Sequence, residues 1–409
     1  MTSLSSFLIV LTVIMGVLFS APQPELDWEN EILPRARELG QTLSRSDDGG
    51  GGGGGDDDPT SFDDSLPLKG AVVVITGCTS GIGLNLAKLL STKLGATVIG
   101  IGRSPTKLQS LREDGIIQQA FVADFSNLDA VATAARQMID VVPKIDILVN
   151  NAGLYAPTTW SYPTTEQGYD WTFGVNYLSH FLFTEKLKPM LNESAHPKVV
   201  HVTSITSFGV PGTDLKPSSS NAVEGVKTQS LPPLASQPGG NVGFWVAKEF
   251  RAYSNSKLAQ LLHARALGRR NPDWRVVSAC PQWVGSDIVA KSQGAVAANV
   301  FARLAYPVQG YGLNSILRAI LSTNDEDGKQ DFYTNTNIQC MRWLEAFPGF
   351  CYNVLPIRDV VGMILGMIVL AYQRWVISGG PTKSTTVSYD VDLQEELFEW
   401  SLSEVRDYL

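Results

Sequence analysis

Three residues in the second half of the sequence have the types and spacing for proton transfer. Tyr253 and Lys257 lie four positions apart in a helical pattern, so they share one face of a helix. A free tyrosine titrates near pH 10, and we expect the Lys257 ammonium to favour the phenolate and to lower the pKa of Tyr253 by about two. Ser204, after a Val-rich run, adds a hydroxyl that can bind a substrate oxygen. The three residue types suit a reaction that adds a proton to, or removes it from, an alcohol or carbonyl oxygen.

A glycine-rich segment near residue 80 predicts a nucleotide site. The apolar run 71–76 leads into it, and the helical pattern 84–90 follows it. Between a buried strand and a helix, glycines allow a tight turn and let a pyrophosphate reach the backbone at the helix N-terminus. The predicted cofactor contacts in this segment are Gly77, Ser80, Gly81, Ile82 and Gly83.

The end of the second apolar run indicates which dinucleotide binds. A carboxylate there would accept the ribose hydroxyls of NAD(H), but residues 101–104 read Ile-Gly-Arg-Ser and contain no acid. The guanidinium of Arg103 can donate to a 2′-phosphate. The sequence therefore favours NADP(H) over NAD(H), although a surface arginine after a strand would look the same.

The order of the elements predicts a doubly wound α/β fold. Short Val/Ile-rich runs alternate with helical patterns, as expected of a parallel sheet covered on both faces. The predicted strands are 71–76, 97–101, 121–123, 146–149, 198–203 and 275–280. We expect one Rossmann-type domain over residues 67–409, with insertions at about 207–246 and 337–385.

These motifs resemble the short-chain dehydrogenase/reductase family, and more closely its retinol-dehydrogenase-like branch, over roughly residues 68–336 and the last twenty. The resemblance implies that Asp124 meets the adenine and that Asn151, Ala152 and Gly153 support the cofactor site. It also implies a catalytic group in which Ser204 binds the substrate oxygen and Asn176 holds a water linked to Lys257. Tyr253 and Lys257 would contact the cofactor as well. The resemblance further implies cofactor contacts from the segment after the sixth strand, at Pro281, Val284 and Ser286.

The same segment departs from the family pattern at one position. The family usually has glycine after the proline, and this chain has Gln282. A side chain there could narrow the cofactor site or require an unusual backbone angle. This difference puts the turnover rate in doubt more than cofactor binding.

The net charge of −8 is confined to a short part of the chain. Residues 22–66 hold twelve acidic residues and three arginines, or −9, so residues 67–409 with 29 basic and 28 acidic residues are nearly neutral. Seven glycines at 49–55 predict a disordered acidic linker over 22–66. Because no cluster of Lys and Arg exists, the sequence excludes nucleic acid as a partner. Four scattered cysteines do not predict a metal site or a disulfide framework.

Two apolar segments suggest contact with a membrane. Residues 1–21 contain the apolar run 7–19 and read as a signal peptide or a short signal anchor. The segment 360–377 combines an apolar run with Tyr372 and Trp375, which suits an interfacial helix; a buried core helix is the alternative. Both segments predict an endomembrane location such as the endoplasmic reticulum, with the secretory lumen as the other possibility.

The resulting hypothesis is an NADP(H)-dependent oxidoreductase that interconverts an alcohol and a carbonyl on a bulky apolar small molecule, such as a retinoid, steroid or lipid. One alternative is a cofactor-binding interaction protein that has lost its chemistry. Another is a soluble carbonyl reductase for polar substrates. The sequence specifies neither the direction of the reaction nor the oligomeric state.

Overall fold

The computed structural model describes residues 25–47, 65–155, 163–210, 212, 215, 246–282, 284, 308, 310–323, 331–335, 380–381 and 384–409. These residues form one sheet between two layers of helices. The strands are β1 (Val72–Thr76), β2 (Thr97–Gly102), β3 (Gln119–Val122), β4 (Ile147–Asn150), β5 (Lys198–Val202), β6 (Arg275–Cys280), β7 (Phe332–Thr334) and β8 (Gly380–Pro381). The helices are α1 (Leu33–Asp47), α2 (Gly81–Thr92), α3 (Pro105–Glu113), α4 (Leu128–Ile139), α5 (Ser179–Asn192), α6 (Val246–Arg270), α7 (Asn314–Leu321) and α8 (Val391–Val405).

The strand order confirms the predicted doubly wound fold. The sheet runs β3-β2-β1-β4-β5-β6-β7-β8, and β1 to β7 are parallel. Each of the six predicted strands is present, with ends that differ by at most two residues. The sequence missed β7 and the antiparallel two-residue β8, which are too short to give a pattern.

Alternate strand residues enter opposite cores, as the pleat of a buried sheet requires. Val73 and Ile75 of β1 face the core that α1, α2, α3 and α7 cover. Val74 faces the core that α4, α5, α6 and α8 cover. The strands β1 to β3 are added toward one edge of the sheet, and β4 is added on the other side of β1. At such a point a crevice opens between the carboxyl ends of β1 and β4, and ligands bind there in this fold.

Side-chain caps begin the two helices that follow β2 and β3. The Ser104 hydroxyl accepts the Lys107 N–H ahead of α3, and Pro105 occupies the first helical turn. The Asn127 amide oxygen accepts the N–H groups of Asp129 and Ala130 at the start of α4. Local sequence therefore sets where each helix starts.

The predicted disordered linker over 22–66 is wrong for residues 28–47. A π-helical turn, Trp28–Ile32, leads into α1, and Ile32, Ala36, Leu39 and Leu43 of this segment are buried against the body. Their spacing of three or four residues makes an apolar stripe, which the acidic composition hid. Burial of that stripe offsets the entropy of ordering the segment; residues 48–64, with the glycine run, lie outside the described residues.

Several other predictions also fall outside the described residues. They are the N-terminal segment 1–21, most of the insertion 207–246 and nearly all of the insertion 337–385, including 360–377. Within the described part of the chain, no helix is both long and apolar enough to span a bilayer.

Candidate active site

The glycine-rich loop connects β1 to α2 at the crevice between β1 and β4. Gly77 has a φ of +70° and Gly81 a φ of +55°, both in the left-handed region that favours glycine. A Cβ atom at Gly83 would lie 2.4 Å from the Gly77 carbonyl oxygen and 2.6 Å from Asn151 Nδ2. Side chains at these positions would push the loop away from α2, so the glycines keep the backbone N–H groups of Ser80 to Gly83 close-packed at the helix N-terminus.

The segment after β4 holds this loop in place. The backbone N–H groups of Asn151 and Ala152 donate to Thr76 Oγ1 at 2.9 and 2.8 Å. Asn151 Nδ2 donates to the Thr76 carbonyl at 2.8 Å. Gly153, the next residue, borders Lys257, since a Cβ there would lie 3.5 Å from Lys257 Nζ. The structure therefore brings the glycine loop, residues 151–153 and Lys257 to one place.

Arg103 and Asp124 lie where the adenosine end of a dinucleotide is expected in this fold. Arg103 is exposed directly after β2, and β2 pairs with β1 up to the start of the glycine loop. Asp124 follows β3, and its Oδ1 accepts the Ser126 N–H and hydroxyl at 2.9 and 2.8 Å. These bonds fix the orientation of the carboxylate at the carboxyl edge of the sheet.

The three proton-transfer residues come together on the other side of the loop. Ser204 lies just after β5, and its hydroxyl lies close enough to the phenol of Tyr253 on α6 to lower the pKa of that phenol. Lys257 Nζ lies 5.5 Å from the centroid of the Tyr253 ring. The Tyr155 ring also contacts Tyr253, with centroids 5.4 Å apart, and forms an aromatic wall beside the phenol.

The expected lowering of the Tyr253 pKa is wrong in this structure. Desolvation raises the pKa of Tyr253, while the nearby Ser204 hydroxyl opposes the shift. Lys257 Nζ points to the Val202 carbonyl at 2.9 Å and to Gln260 Oε1 at 3.1 Å. Because desolvation disfavours the phenolate more than the site stabilises it, Tyr253 stays protonated at neutral pH.

Lys257 is itself shifted by burial. Its side chain is 4 % exposed, and desolvation lowers the pKa of Lys257 to about 7. An ammonium with a pKa near neutrality can gain and lose its proton at physiological pH.

Asn176 lies in the turn that leads into α5, and its side chain bonds to two other parts of the site. It lies in a π-helical turn, Gly174–Leu178, which follows the short helix Trp171–Phe173 and leads into α5. Its Oδ1 accepts the Leu154 N–H at 2.8 Å, and its Nδ2 donates to the Leu154 carbonyl at 2.9 Å and to Ser256 Oγ at 3.0 Å. The Asn176 side chain thus joins the segment after β4 to α6. The Asn176 main-chain carbonyl is linked to Lys257 through one further residue.

That residue is Gln260, which the sequence did not single out. Its amide contacts both Lys257 Nζ and the Asn176 carbonyl oxygen. The available signal was its position three residues after Lys257, on the same face of α6. His180 is also buried, and its ring is bonded to Thr76 Oγ1 and to the Asn176 carbonyl.

The segment after β6 shows the unusual backbone angle that glutamine at position 282 implies. Gln282 has a φ of +60°, and no other described residue besides glycine has a positive φ. Pro281 precedes it, with its carbonyl bonded to Asn335 Nδ2 at 2.8 Å. Val284 is buried against Ile82 and Tyr311 beside the glycine loop. Ser286 lies outside the described residues.

The remaining cysteines and histidines do not form a metal site within the described ranges. Cys78 and Cys280 are buried free thiols, and burial raises the pKa of each to about 12. No group of three His, Cys, Asp or Glu residues is close enough to hold a metal ion in the part of the chain that the structure describes.

The fold and the glycine loop define a domain of the dinucleotide-binding class, and comparison with known proteins shows which family it resembles. Residues 71–229 match the family model described as short chain dehydrogenase. This part of the chain is similar to the short-chain dehydrogenase/reductase family, and proteins named retinol dehydrogenase are among its relatives. The cofactor of this family is a nicotinamide dinucleotide.

Two curated relatives and one solved structure illustrate the likeness. An uncharacterized oxidoreductase of Schizosaccharomyces pombe is 30 % identical over 53 % of this chain and 61 % of its own length. Retinol dehydrogenase 14 of Mus musculus is 31 % identical over 50 % of this chain and 57 % of its own length. A short chain dehydrogenase from Salmonella enterica serovar Typhi has 20 % identity and a TM-score of 0.46, and the likeness covers 66 % of this chain and 96 % of that one. The match thus spans little more than half the length of these curated relatives.

Proposed function

We propose that this protein is an NADP(H)-dependent oxidoreductase that interconverts an alcohol and a carbonyl on a bulky apolar substrate. The observation that carries the proposal is that Ser204 and Lys257 both lie beside the Tyr253 phenol, and that Lys257 borders Gly153 next to the segment that holds the glycine loop. A proton donor and a dinucleotide site share one crevice, which is the arrangement that carbonyl reduction needs.

The loop residues fit a nicotinamide dinucleotide. The close contacts around Gly77 and Gly83 make a cradle that any Cβ would fill, and the start of α2 offers backbone N–H groups to a pyrophosphate. Ile82 and Val284 line the cradle on its apolar side. When bound, the nicotinamide supplies or accepts the hydride.

The chain's own residues handle the proton. Because burial keeps Tyr253 protonated, it can give its proton to the oxygen of a reduced carbonyl. Ser204 holds the same oxygen by a hydrogen bond, and Lys257, a few ångströms away, resupplies the proton.

Arg103 supports NADP(H) as the cofactor. Its exposed guanidinium follows β2 with no acid at the strand end, so a 2′-phosphate gains a bidentate partner and meets no negative charge. Asp124 follows β3, and its carboxylate is bonded to Ser126.

An apolar substrate is supported by the aromatic wall and by the relatives. Tyr155 packs on Tyr253 and would line the substrate side of the site. Several relatives carry the name retinol dehydrogenase. Retinol is an alcohol with a long apolar chain. Membrane association through residues 7–19 and 360–377, and an endomembrane location, remain part of this proposal.

The test is turnover by the purified full chain. NADPH is mixed with retinal, a steroid ketone and long-chain aldehydes, and loss of absorbance at 340 nm is followed for wild type and Tyr253→Phe. We expect turnover with at least one apolar carbonyl and a loss of at least a hundredfold in Tyr253→Phe, because general acid catalysis contributes about 10²–10⁴-fold. NADPH binding without turnover of any carbonyl would instead indicate a cofactor-binding interaction protein, and turnover of polar carbonyls alone would overturn the substrate class.

A further inference from the structure

Gln260 joins two parts of the site through a single buried amide. Its Oε1 accepts a hydrogen bond from Lys257 Nζ at 3.1 Å, and its Nε2 donates to the Asn176 carbonyl oxygen at 2.8 Å. The side chain is 1 % exposed, so water competes poorly for either bond. The amide can be oriented in only one way here, because an ammonium can only donate and a carbonyl can only accept.

The Asn176 carbonyl is also held by a histidine. Asn176 belongs to the π-helical turn Gly174–Leu178, a type of turn that interrupts the regular helical ladder and recurs at functional sites. His180 Nδ1 lies 3.1 Å from the same carbonyl oxygen. Two side chains, one from α5 and one from α6, therefore fix the main chain of this turn.

The hydrogen bonds around Thr76 assign the tautomer of His180. Thr76 Oγ1 accepts two backbone N–H groups, so its own hydrogen points to another acceptor. His180 Nε2, at 3.0 Å, is closer than the Val149 carbonyl at 3.4 Å. His180 thus accepts at Nε2 and donates at Nδ1, and it remains neutral because burial lowers its pKa to about 3.

These bonds make one continuous chain from Lys257 to the glycine loop. The chain runs through Lys257, Gln260, the Asn176 carbonyl, His180 and Thr76. Lys257 has three N–H donors, and the Val202 carbonyl and Gln260 take two of them. The third is left for the crevice that Tyr253 and Gly153 border.

We propose that Gln260 is a positioning residue for Lys257, which holds the ammonium in the orientation that serves Tyr253 and couples it, through Asn176 and His180, to the cofactor loop. This inference rests on the proposed function, because Lys257 has a role only if Tyr253 transfers a proton. It differs from the arrangement that the family resemblance implies, since here a protein amide links Lys257 directly to Asn176.

Gln260 is the side chain that accepts a hydrogen bond from Lys257, and its replacement should shift the pKa of Lys257. The titratable groups that face Lys257 are Tyr253 on its own helix, Cys280 on β6, His201 on β5 and His180 on α5. All four are neutral at pH 7, because burial raises the pKa of the phenol and the thiol and lowers those of the two imidazoles. A hydrogen-bond acceptor at position 260 favours the ammonium, and a carboxylate there would favour it more.

The experiment compares Gln260→Met, which keeps the length and removes both bonds, with Gln260→Glu, which keeps an acceptor and adds a charge. With NADPH and a saturating carbonyl, kcat is measured from pH 5 to 10. We expect the alkaline limb of the kcat profile to move down by about one pH unit in Gln260→Met and up by about one in Gln260→Glu. We also expect kcat to fall about tenfold in Gln260→Met with KM changed less than about twofold, because the loss is in the reactive geometry.

Gln394→Met is the matched control. Gln394 is also a buried glutamine with two bonds, to the Ser388 carbonyl and to Arg269, but it lies on α8 away from the crevice. The Gln394→Met variant should lower the stability of the protein as Gln260→Met does, but it should leave the pH profile of kcat unchanged. Equal shifts in both glutamine variants, or a profile in Gln260→Met that coincides with wild type, would contradict a positioning role.

A second readout does not need turnover. The titration of Lys257 is followed by the ¹³Cε resonance of labelled lysine, assigned by its loss in Lys257→Met. A midpoint in Gln260→Met lower than in wild type by about one pH unit supports the inference even if no carbonyl is reduced, and a midpoint within about 0.3 of wild type overturns it. Failure of the proposed function would show as absent turnover in wild type, which this titration separates from failure of the inference.

Discussion

The Glu31 carboxylate pairs with the Arg318 guanidinium, which joins the segment before α1 to α7 on the body of the protein. A second bond, from Thr323 Oγ1 to Glu38 Oε1 at 3.0 Å, joins α1 to the loop that follows α7. Beneath these polar contacts, Ile32 is fully buried in the core that also contains β1. The N-terminal helix is thus part of the folded domain.

Replacement of Ile32 by alanine tests whether the buried stripe of segment 28–47 contributes to the stability of the domain. We expect the free energy of unfolding to fall by about 2–4 kcal/mol, because a buried isoleucine leaves a cavity. Glu31→Gln should cost less than about 1 kcal/mol, since the ion pair is partly exposed. Denaturant unfolding of both variants and of the exposed-site control Glu29→Gln measures the effect, and an unchanged midpoint in Ile32→Ala would mean that the buried stripe of segment 28–47 does not stabilise the domain.

Gly83→Ala tests the cofactor cradle. The added Cβ would lie 2.4 Å from the Gly77 carbonyl oxygen, so the loop must move. We expect the Kd for NADPH to rise at least about tenfold, or about 1.4 kcal/mol. Gly268→Ala on α6 is the control, because its Cβ would meet Val276 at an ordinary 3.6 Å. Fluorescence titration with NADPH gives both values, and equal affinities would show that the loop does not hold the cofactor.

Arg103→Ala tests the choice of dinucleotide. Loss of a charge-assisted hydrogen bond to the 2′-phosphate costs about 1.5–3 kcal/mol, so we expect NADPH to bind about 10–100-fold more weakly. NADH, which lacks this phosphate, should bind as it does to wild type. Lys107→Ala removes another exposed cation from α3 and should leave both affinities unchanged. Equal loss for NADPH and NADH would argue against a role in phosphate recognition.

Lys257→Met tests the cost of burying a lysine. The pKa of Lys257 is lowered from 10.5 to about 7, so between these values the unfolded chain binds a proton that the folded chain does not. Stability of wild type relative to the variant should therefore rise with pH across this window, by up to about 1.4 kcal/mol per pH unit. Below pH 7 the full penalty applies and the variant has its largest relative advantage.

The measurement is denaturant unfolding at several values from pH 6 to 10. Lys69→Met removes a lysine from an exposed site and serves as the control. A stability difference between wild type and Lys257→Met that does not change with pH would show that Lys257 keeps its ordinary pKa in the folded protein.

Gln282→Gly tests the strained turn after β6. A residue with a Cβ pays about 1–2 kcal/mol for the left-handed conformation, whereas glycine adopts a φ of +60° freely. Because glycine loses about 0.5–1 kcal/mol more on folding, we expect Gln282→Gly to be between neutral and about 1.5 kcal/mol more stable. Gln282→Val should be the least stable of the three, since a branched side chain suits this conformation worst. Thermal unfolding ranks the variants, and a valine variant as stable as the glycine variant would refute the strain.

Much of the sheet and the glycine loop could be predicted from the sequence, because both depend on neighbours along the chain. The strand Val72–Thr76 is a continuous apolar run, and the glycines after it occupy backbone angles that other residues avoid. Lys257 lies one helical turn after Tyr253, so their proximity follows from helix geometry alone. Arg103 and Asp124 are placed by the ends of β2 and β3 in the same way.

Other properties depend on what packs against each group in three dimensions, and only the tertiary structure decided them. Burial, which no local pattern reports, raises the pKa of Tyr253 instead of lowering it. The contact between Gln260 and the Asn176 carbonyl joins residues 84 positions apart on different helices. The acidic N-terminal segment is ordered because its apolar stripe meets a complementary surface on the body. The sequence thus determined which groups are present and their order along the sheet edge, while the fold determined their protonation and their partners, because these depend on desolvation and long-range contacts.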